Sequence, residues 1–113
     1  MLRRLFYLIY TLGGLKVEGI IFGAGNLGKG LKRGLEKHYD IHICAICDND
    51  KNKWGGILDN ILIIPPHELL KISFEKIFIC VSKEFGFRKI KEQLLNMGIS
   101  NEKITVMPIS NEY

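Results

Sequence analysis

The segment "IIFGAGNLGKG", residues 20–30, constrains the chain more than any other. Gly23, Gly25 and Gly28 stand in a G-x-G-x-x-G spacing, after a short apolar run and at the start of an amphipathic stretch. A strand, a tight turn and a helix satisfy that pattern together. Gly23 lets the chain turn sharply as it leaves the strand. Gly25 offers no side chain to block a pyrophosphate approaching the backbone, and Gly28 lets the helix pack close to the strand. The helix N-terminus adds unpaired backbone N–H groups and the positive end of the macrodipole, where a phosphate is stabilised without a dedicated side chain.

A carboxylate completes the pattern. Asp48 comes 20 residues after Gly28, just past a second apolar run, where a dinucleotide fingerprint places the acid that binds a ribose hydroxyl. An Asp at this point disfavours a 2′-phosphate, so NAD fits better than NADP. The candidate cofactor-binding set is Gly23, Gly25, Asn26, Leu27, Gly28, Asp48, Asn49, Asp50 and Ser82. Asn26 also reads as the cap of the helix. Asp50 competes with Asp48 from two residues into the loop, and "DND" reads equally as a polar turn. Ser82 ends the fourth strand beside the switch point at which open α/β sheets bind ligands. Trp54 reads as a cover for its loop or as a base-stacking residue.

Along the chain, strands alternate with helices. "VEGIIF" (17–22) is a first strand, "IHICAIC" (41–47) a second, "ILII" (61–64) a third, "KIFICV" (76–81) a fourth and "KITVMP" (103–108) a fifth. Residues 26–39 form a helix with Leu27, Leu31 and Leu35 as its buried stripe and Lys29, Lys32, Arg33 and Lys37 in water. Gly30 and Gly34 weaken that helix by about 1 kcal/mol each relative to Ala, which makes sense where another backbone comes close. "PHELLKI" starts a short helix at its proline. Residues 83–98 form the second long helix, with Phe87, Ile90, Leu94 and Met97 on one face and Gly98 as its C-cap. The expected fold class is α/β: a single Rossmann-like domain over 17–113, with a five-stranded, mostly parallel sheet in the order 3-2-1-4-5 and helices on both faces. Residues 1–16 carry Leu5, Leu8, Ile9 and Leu12 at helical spacing, giving a short N-terminal helix. It packs on the domain or a second subunit, or lies on a membrane surface; its apolar run is too short for a transmembrane span.

Net charge is +4, and residues 1–56 hold nine Lys/Arg against five Asp/Glu. That excess suits a phosphate-bearing ligand, and a solvated basic helix face accounts for it equally. No basic arm or run of aromatics and cations points to nucleic acid. Cys44, Cys47 and Cys80 lack a disulfide-type framework. Cys44 and Cys47 lie three apart on a strand, which places them on opposite faces. All three read as small buried hydrophobes in a reducing, cytoplasmic setting. No catalytic set is visible. No tyrosine is followed four residues later by lysine, and "HELLK" (67–71) has Lys71 where a zinc protease needs its second histidine. His38 and His42 have no evident partner. No metal site is expected.

Three further stretches extend the pattern: "ICAICDNDKNKWGGILDNILIIPPHELLK", "FEKIFICVSKEFGFRKIKEQLLNMGI" and "ITVMP". With "IIFGAGNLGKGL" they carry a likeness that runs from about Gly19 to Pro108, about four-fifths of the chain. Together they resemble the small Rossmann-type domain of bacterial sugar-nucleotide and surface-polysaccharide biosynthesis proteins. That domain precedes the catalytic part of nucleoside-diphosphate-sugar dehydratases and starts amino-sugar acetyltransferases. The resemblance implies NAD or a UDP-sugar as ligand at Gly23, Gly25, Gly28 and Asp48, with Asn49, Asp50 and Ser82 near it. It implies a module of a homo-oligomer, or one working beside a partner catalytic chain; an enzyme completed by a partner would be of the dehydratase or epimerase type. "GAGNLGKGL" is also similar to the NADH-sensing part of Rex-type repressors, although sixteen residues in front are too few for their winged helix.

Overall fold

The computed structural model describes residues 16–81 and 84–106. The elements run β1 (Val17–Phe22), α1 (Asn26–His38), β2 (Ile41–Cys47), β3 (Ile57–Leu58), β4 (Ile61–Ile64), β5 (Lys76–Ile79), α2 (Glu84–Asn96) and β6 (Ile104–Val106). Short 3-10 helices occupy Lys51–Lys53, Pro66–Lys71 and Asn101–Lys103. The sheet order is β3-β4-β2-β1-β5-β6. The five expected strands thus stand in the expected order and pair in parallel. The sixth strand is a correction. Ile57–Leu58, outside the five expected strands, folds back antiparallel on β4. Asp59 and Asn60 make that return possible, with φ of 51° and 68°, the left-handed pair that a two-residue hairpin turn needs. The proline-initiated helix is present as the 3-10 helix Pro66–Lys71. The N-terminal helix and Ser82 lie outside the described residues.

Both faces of the sheet are covered, which is why the strands read as continuous apolar runs. Ile20, Phe22, Ile77 and Ile79 face one cluster, closed by Leu69, Leu94 and Ile99 with Phe87, Ile90 and Met97 packed on it. Ile21, Ile43, Ile46 and Phe78 face the other, closed by Leu35 with Leu31. Helix α2 therefore presents the expected face, and Gly98 ends it at φ 94° while Ile99 N–H bonds back to the Leu94 carbonyl.

Helix α1 is rotated from the expected stripe. Its buried residues are Gly28, Lys32 and Leu35, whereas Leu27 is 42% exposed. The near contact of Gly28 with the turn sets which face looks inward, and that face continues through Lys32. Lys32, expected in water, is buried and bonds through Nζ to Glu36 Oε1 at 2.6 Å and Asp59 Oδ2 at 3.0 Å. Burial disfavours its charge, but the bonds from Glu36 and Asp59 outweigh that and raise its pKa. Arg33, exposed, takes the other oxygen of Asp59 at 3.0 Å. No described backbone comes close to Gly30 or Gly34: a Cβ on either meets nothing within 4 Å among the described residues.

Strand β2 carries a bulge. The β1–β2 register steps from Gly19↔Ile43 to Ile20↔Ala45, skipping Cys44. The skipped residue inverts the alternation, so Cys44 packs against the same cluster that holds Cys47. The expectation of opposite faces is corrected; both are free thiols, as is Cys80. Burial pushes all three thiol pKa values up, Cys47 most. His42, expected unpartnered, lies 2.7 Å from Glu18 Oε2 through Nδ1.

Candidate functional site

The glycine turn joins the C-terminal end of β1 to α1, in the middle of the sheet. Its three glycines differ in what they tolerate. Gly23 sits at φ 129°, and a Cβ there would lie 2.3 Å from the Cys80 carbonyl oxygen. A Cβ on Gly28 would lie 2.1 Å from the Gly23 carbonyl oxygen. Both collisions are with backbone, so these two glycines hold the turn against β5 and the helix against the turn. Gly25 is different: a Cβ there meets nothing within 4 Å among the described residues. Its side-chain direction points away from every described residue, beside the helix end.

Gly25 is also the N-cap of α1, with no side-chain cap bond, and no acidic residue stands in the first turn. Asn26, expected as the cap, is instead the first helical residue. Asn26 and Leu27 are exposed along the rim of the turn. The first N–H groups of a helix have no intrahelical acceptor, and here no side chain of the cap position supplies one. The positive end of the helix dipole is therefore uncompensated by local sequence.

Asp48 lies at the end of β2, beside this turn. Its Oδ2 accepts from Ala24 N–H at 2.8 Å and its Oδ1 from Asp50 N–H at 2.8 Å. An ionised carboxylate has about four acceptor sites, so roughly two remain. The acid thus fixes the glycine turn and keeps capacity for a hydroxyl donor. Trp54 Nε1 donates to the Asp48 carbonyl at 2.6 Å, and its ring meets His67 edge-on at 6.1 Å. That geometry matches a loop cover.

The other loop candidates are committed elsewhere. Asn49 exchanges two amide bonds with Gln93 of α2, each 2.9 Å. Asp50 caps the 3-10 helix Lys51–Lys53 by accepting from Asn52 N–H at 3.0 Å. Lys53, absent from the candidate set, reaches back to the turn: its Nζ lies 3.5 Å from the Ala24 carbonyl and 3.8 Å from Asp48 Oδ2. Two lysines, Lys51 and Lys53, stand between "DND" and "WGG" in the sequence, and only the fold brings the second to the glycines. The structure therefore brings together Gly23, Gly25, Gly28, Asp48 and Lys53, with Asn26 and Leu27 on the rim. Among the described residues no group of His, Cys, Asp and Glu is arranged to hold a metal ion. Nor is any described helix long and apolar enough to cross a membrane.

The arrangement is that of a small Rossmann-type domain, and comparison with known proteins agrees. UDP-D-quinovosamine 4-dehydrogenase from Vibrio fischeri superposes with a TM-score of 0.68 at 22% identity, over 83% of this chain and 80% of that one. RSP in complex with beta-NADH superposes with a TM-score of 0.62 at 18% identity, over 98% of this chain and 56% of that one. RSP, a Rex-family repressor, has also been solved in complex with beta-NAD+ and operator DNA; that structure gives a TM-score of 0.62 at 15% identity, over 93% of this chain and 57% of that one. The chain thus spans little more than half of the repressor. At these identities the likeness is one of fold. No curated protein matches the chain. Residues 15–105 match the family described as C2185-like, N-terminal, and the chain belongs to that family.

Proposed function

We propose that this member of the C2185-like N-terminal family is a nucleotide-binding module, with NAD as its ligand and a UDP-sugar as the alternative. The observation that carries the reading is the contrast among the three glycines. Two are required by backbone packing, while a Cβ on Gly25 would meet nothing among the described residues, at an uncapped helix N-terminus. A pyrophosphate occupies such a position and takes the helix N–H groups. Asp48, tied to Ala24 but with acceptor sites to spare, receives a ribose hydroxyl. Ser82, which follows β5 in the sequence, belongs to the proposed binding set.

The module serves sugar-nucleotide or surface-polysaccharide metabolism, as the likeness to the Vibrio fischeri dehydrogenase domain supports. It works in the cytoplasm, where its free thiols stay reduced. It acts as a homo-oligomer or beside a catalytic chain, and binds rather than converts its nucleotide.

The test is isothermal titration of the folded chain with NAD, NADH, UDP and UDP-sugars. Saturable heat with a dinucleotide supports the reading, heat with UDP compounds alone shifts it to the sugar nucleotide, and no heat with any of them overturns it.

A further inference from the structure

Lys53 stands where the ligand of the glycine turn would be read. Its backbone is held: its N–H donates to the Asp50 carbonyl at 3.0 Å and its carbonyl accepts from Gly56 N–H at 3.0 Å. A Cβ on Gly56 would lie 3.1 Å from that carbonyl, so the glycine keeps the loop tight against Lys53. The side chain then crosses to the turn and ends beside Ala24 and Asp48, 41% exposed. Neither contact saturates it. An ammonium has three donors; the bond to the Ala24 carbonyl is at the outer limit at 3.5 Å, and the approach to Asp48 Oδ2, at 3.8 Å, is an ion pair without a hydrogen bond. A strong donor and a strong acceptor therefore sit side by side over the same backbone, both with capacity left.

We infer that Lys53 is a ligand-binding and specificity-determining residue, reading the ribose jointly with Asp48. The inference rests on the nucleotide reading of the turn. A vicinal diol suits the pair, since one hydroxyl donates to Asp48 while its neighbour accepts from Lys53. A 2′-phosphate does not suit it, because Lys53 attracts the dianion and Asp48 repels it. The preference for an unphosphorylated ribose is thus a balance of two opposite charges. With the carboxylate neutralised, Lys53 becomes a phosphate-binding group, so the loop holds a dormant site for a phosphorylated ribose.

The test is fluorescence titration of NADH and NADPH on the full chain, unaltered and as Lys53→Gln, Asp48→Asn and the double variant. Lys53→Gln should weaken NADH about tenfold, the loss of one charge-assisted hydrogen bond, with the thermal midpoint unchanged. Asp48→Asn should shift the NADPH-to-NADH affinity ratio toward NADPH about tenfold, and Lys53→Gln in that background should abolish the shift. NADH binding by Lys53→Gln at unaltered affinity overturns the inference, as does a shift toward NADPH that survives loss of the lysine. Should Asp48→Asn unfold the turn, the Lys53→Gln arm on NADH decides alone. Failure of the unaltered chain to bind either dinucleotide overturns this inference, and failure with UDP compounds as well overturns the nucleotide reading beneath it.

Discussion

At the scale of single residues, the glycines separate what folding requires from what the proposed binding requires. A methyl on Gly28 is driven into the Gly23 carbonyl, which cannot yield without moving the turn. Gly28→Ala should therefore destabilise the domain by about 3 kcal/mol, the upper range for overpacking against backbone; urea unfolding measures it. Gly25→Ser should behave in the opposite way. Gly25 sits at φ −111°, which any residue adopts, and a serine there supplies the missing N-cap. A gain of about 0.5 kcal/mol is expected, together with loss of dinucleotide binding as the hydroxymethyl fills the ligand space. A protein stabilised yet blind to its ligand separates the two roles in one pair of titrations. The cysteines follow from burial. Their pKa values lie above the ordinary thiol range because burial disfavours the thiolate. In an Ellman assay of native protein, Cys47 and Cys80 should react only on unfolding, with Cys44, half-buried, the first to label. The sign for stability follows. Folded thiols keep their protons longer than unfolded ones, so the stabilisation is full below about pH 8 and falls as pH rises past the ordinary thiol pKa.

At the scale of elements, the hairpin and α1 are joined by a charge cluster that the sequence displays only in pieces. Arg33 and then Lys32 hold Asp59 by hydrogen bonds, and its pKa is lowered to about 2. The unfolded chain binds a proton at Asp59 near pH 4, whereas the folded one resists until near 2. The unfolded state thus holds more protons in that window. Stability from Asp59 is present above about pH 4 and is lost as pH falls toward 2. Asp59→Asn should flatten the acid limb of a circular-dichroism pH titration between those values; an unchanged limb would show that the hairpin and helix do not depend on this contact. The cluster explains why the helix turns a different face inward from the one its leucine repeat predicts. Leu27, Leu31 and Leu35 repeat every four residues, but the close approach at Gly28 rotates the inward face onto Lys32, whose charge is matched by Asp59, 27 residues away. Periodicity reports hydrophobicity and carries no information on such a distant partner. The hairpin had a legible signal, "DN" between two apolar pairs, in a segment whose polar neighbours read as a loop. The bulge at Cys44 had none, because an extra residue in a doubly buried strand leaves the apolar run unbroken.

At the scale of the whole molecule, the sheet order followed from local rules: strands alternating with helices, right-handed crossovers, and a turn that needs glycine at fixed offsets. The site was half legible for the same reason. Gly23, Gly25, Gly28 and Asp48 are tied to element ends, which sequence locates, whereas Asn49, Asp50 and Lys53 depend on how one loop folds back. That loop also carries the chain's single tryptophan, bonded to the Asp48 backbone. Trp54 is therefore a reporter placed at the candidate site, and it allows the global and local consequences of the proposed binding to be read together. NAD at a hundredfold excess over its Kd stabilises a folded domain by about 2.7 kcal/mol, which for a domain of this size raises the thermal midpoint by on the order of 10 °C. Titration with NADH should quench Trp54 by energy transfer to the nicotinamide at the same Kd that the melting shift yields. Gly25→Ser should abolish both signals. A melting shift without a change in Trp54 emission would place the ligand away from Asp48, and would move the search to the edges of the sheet.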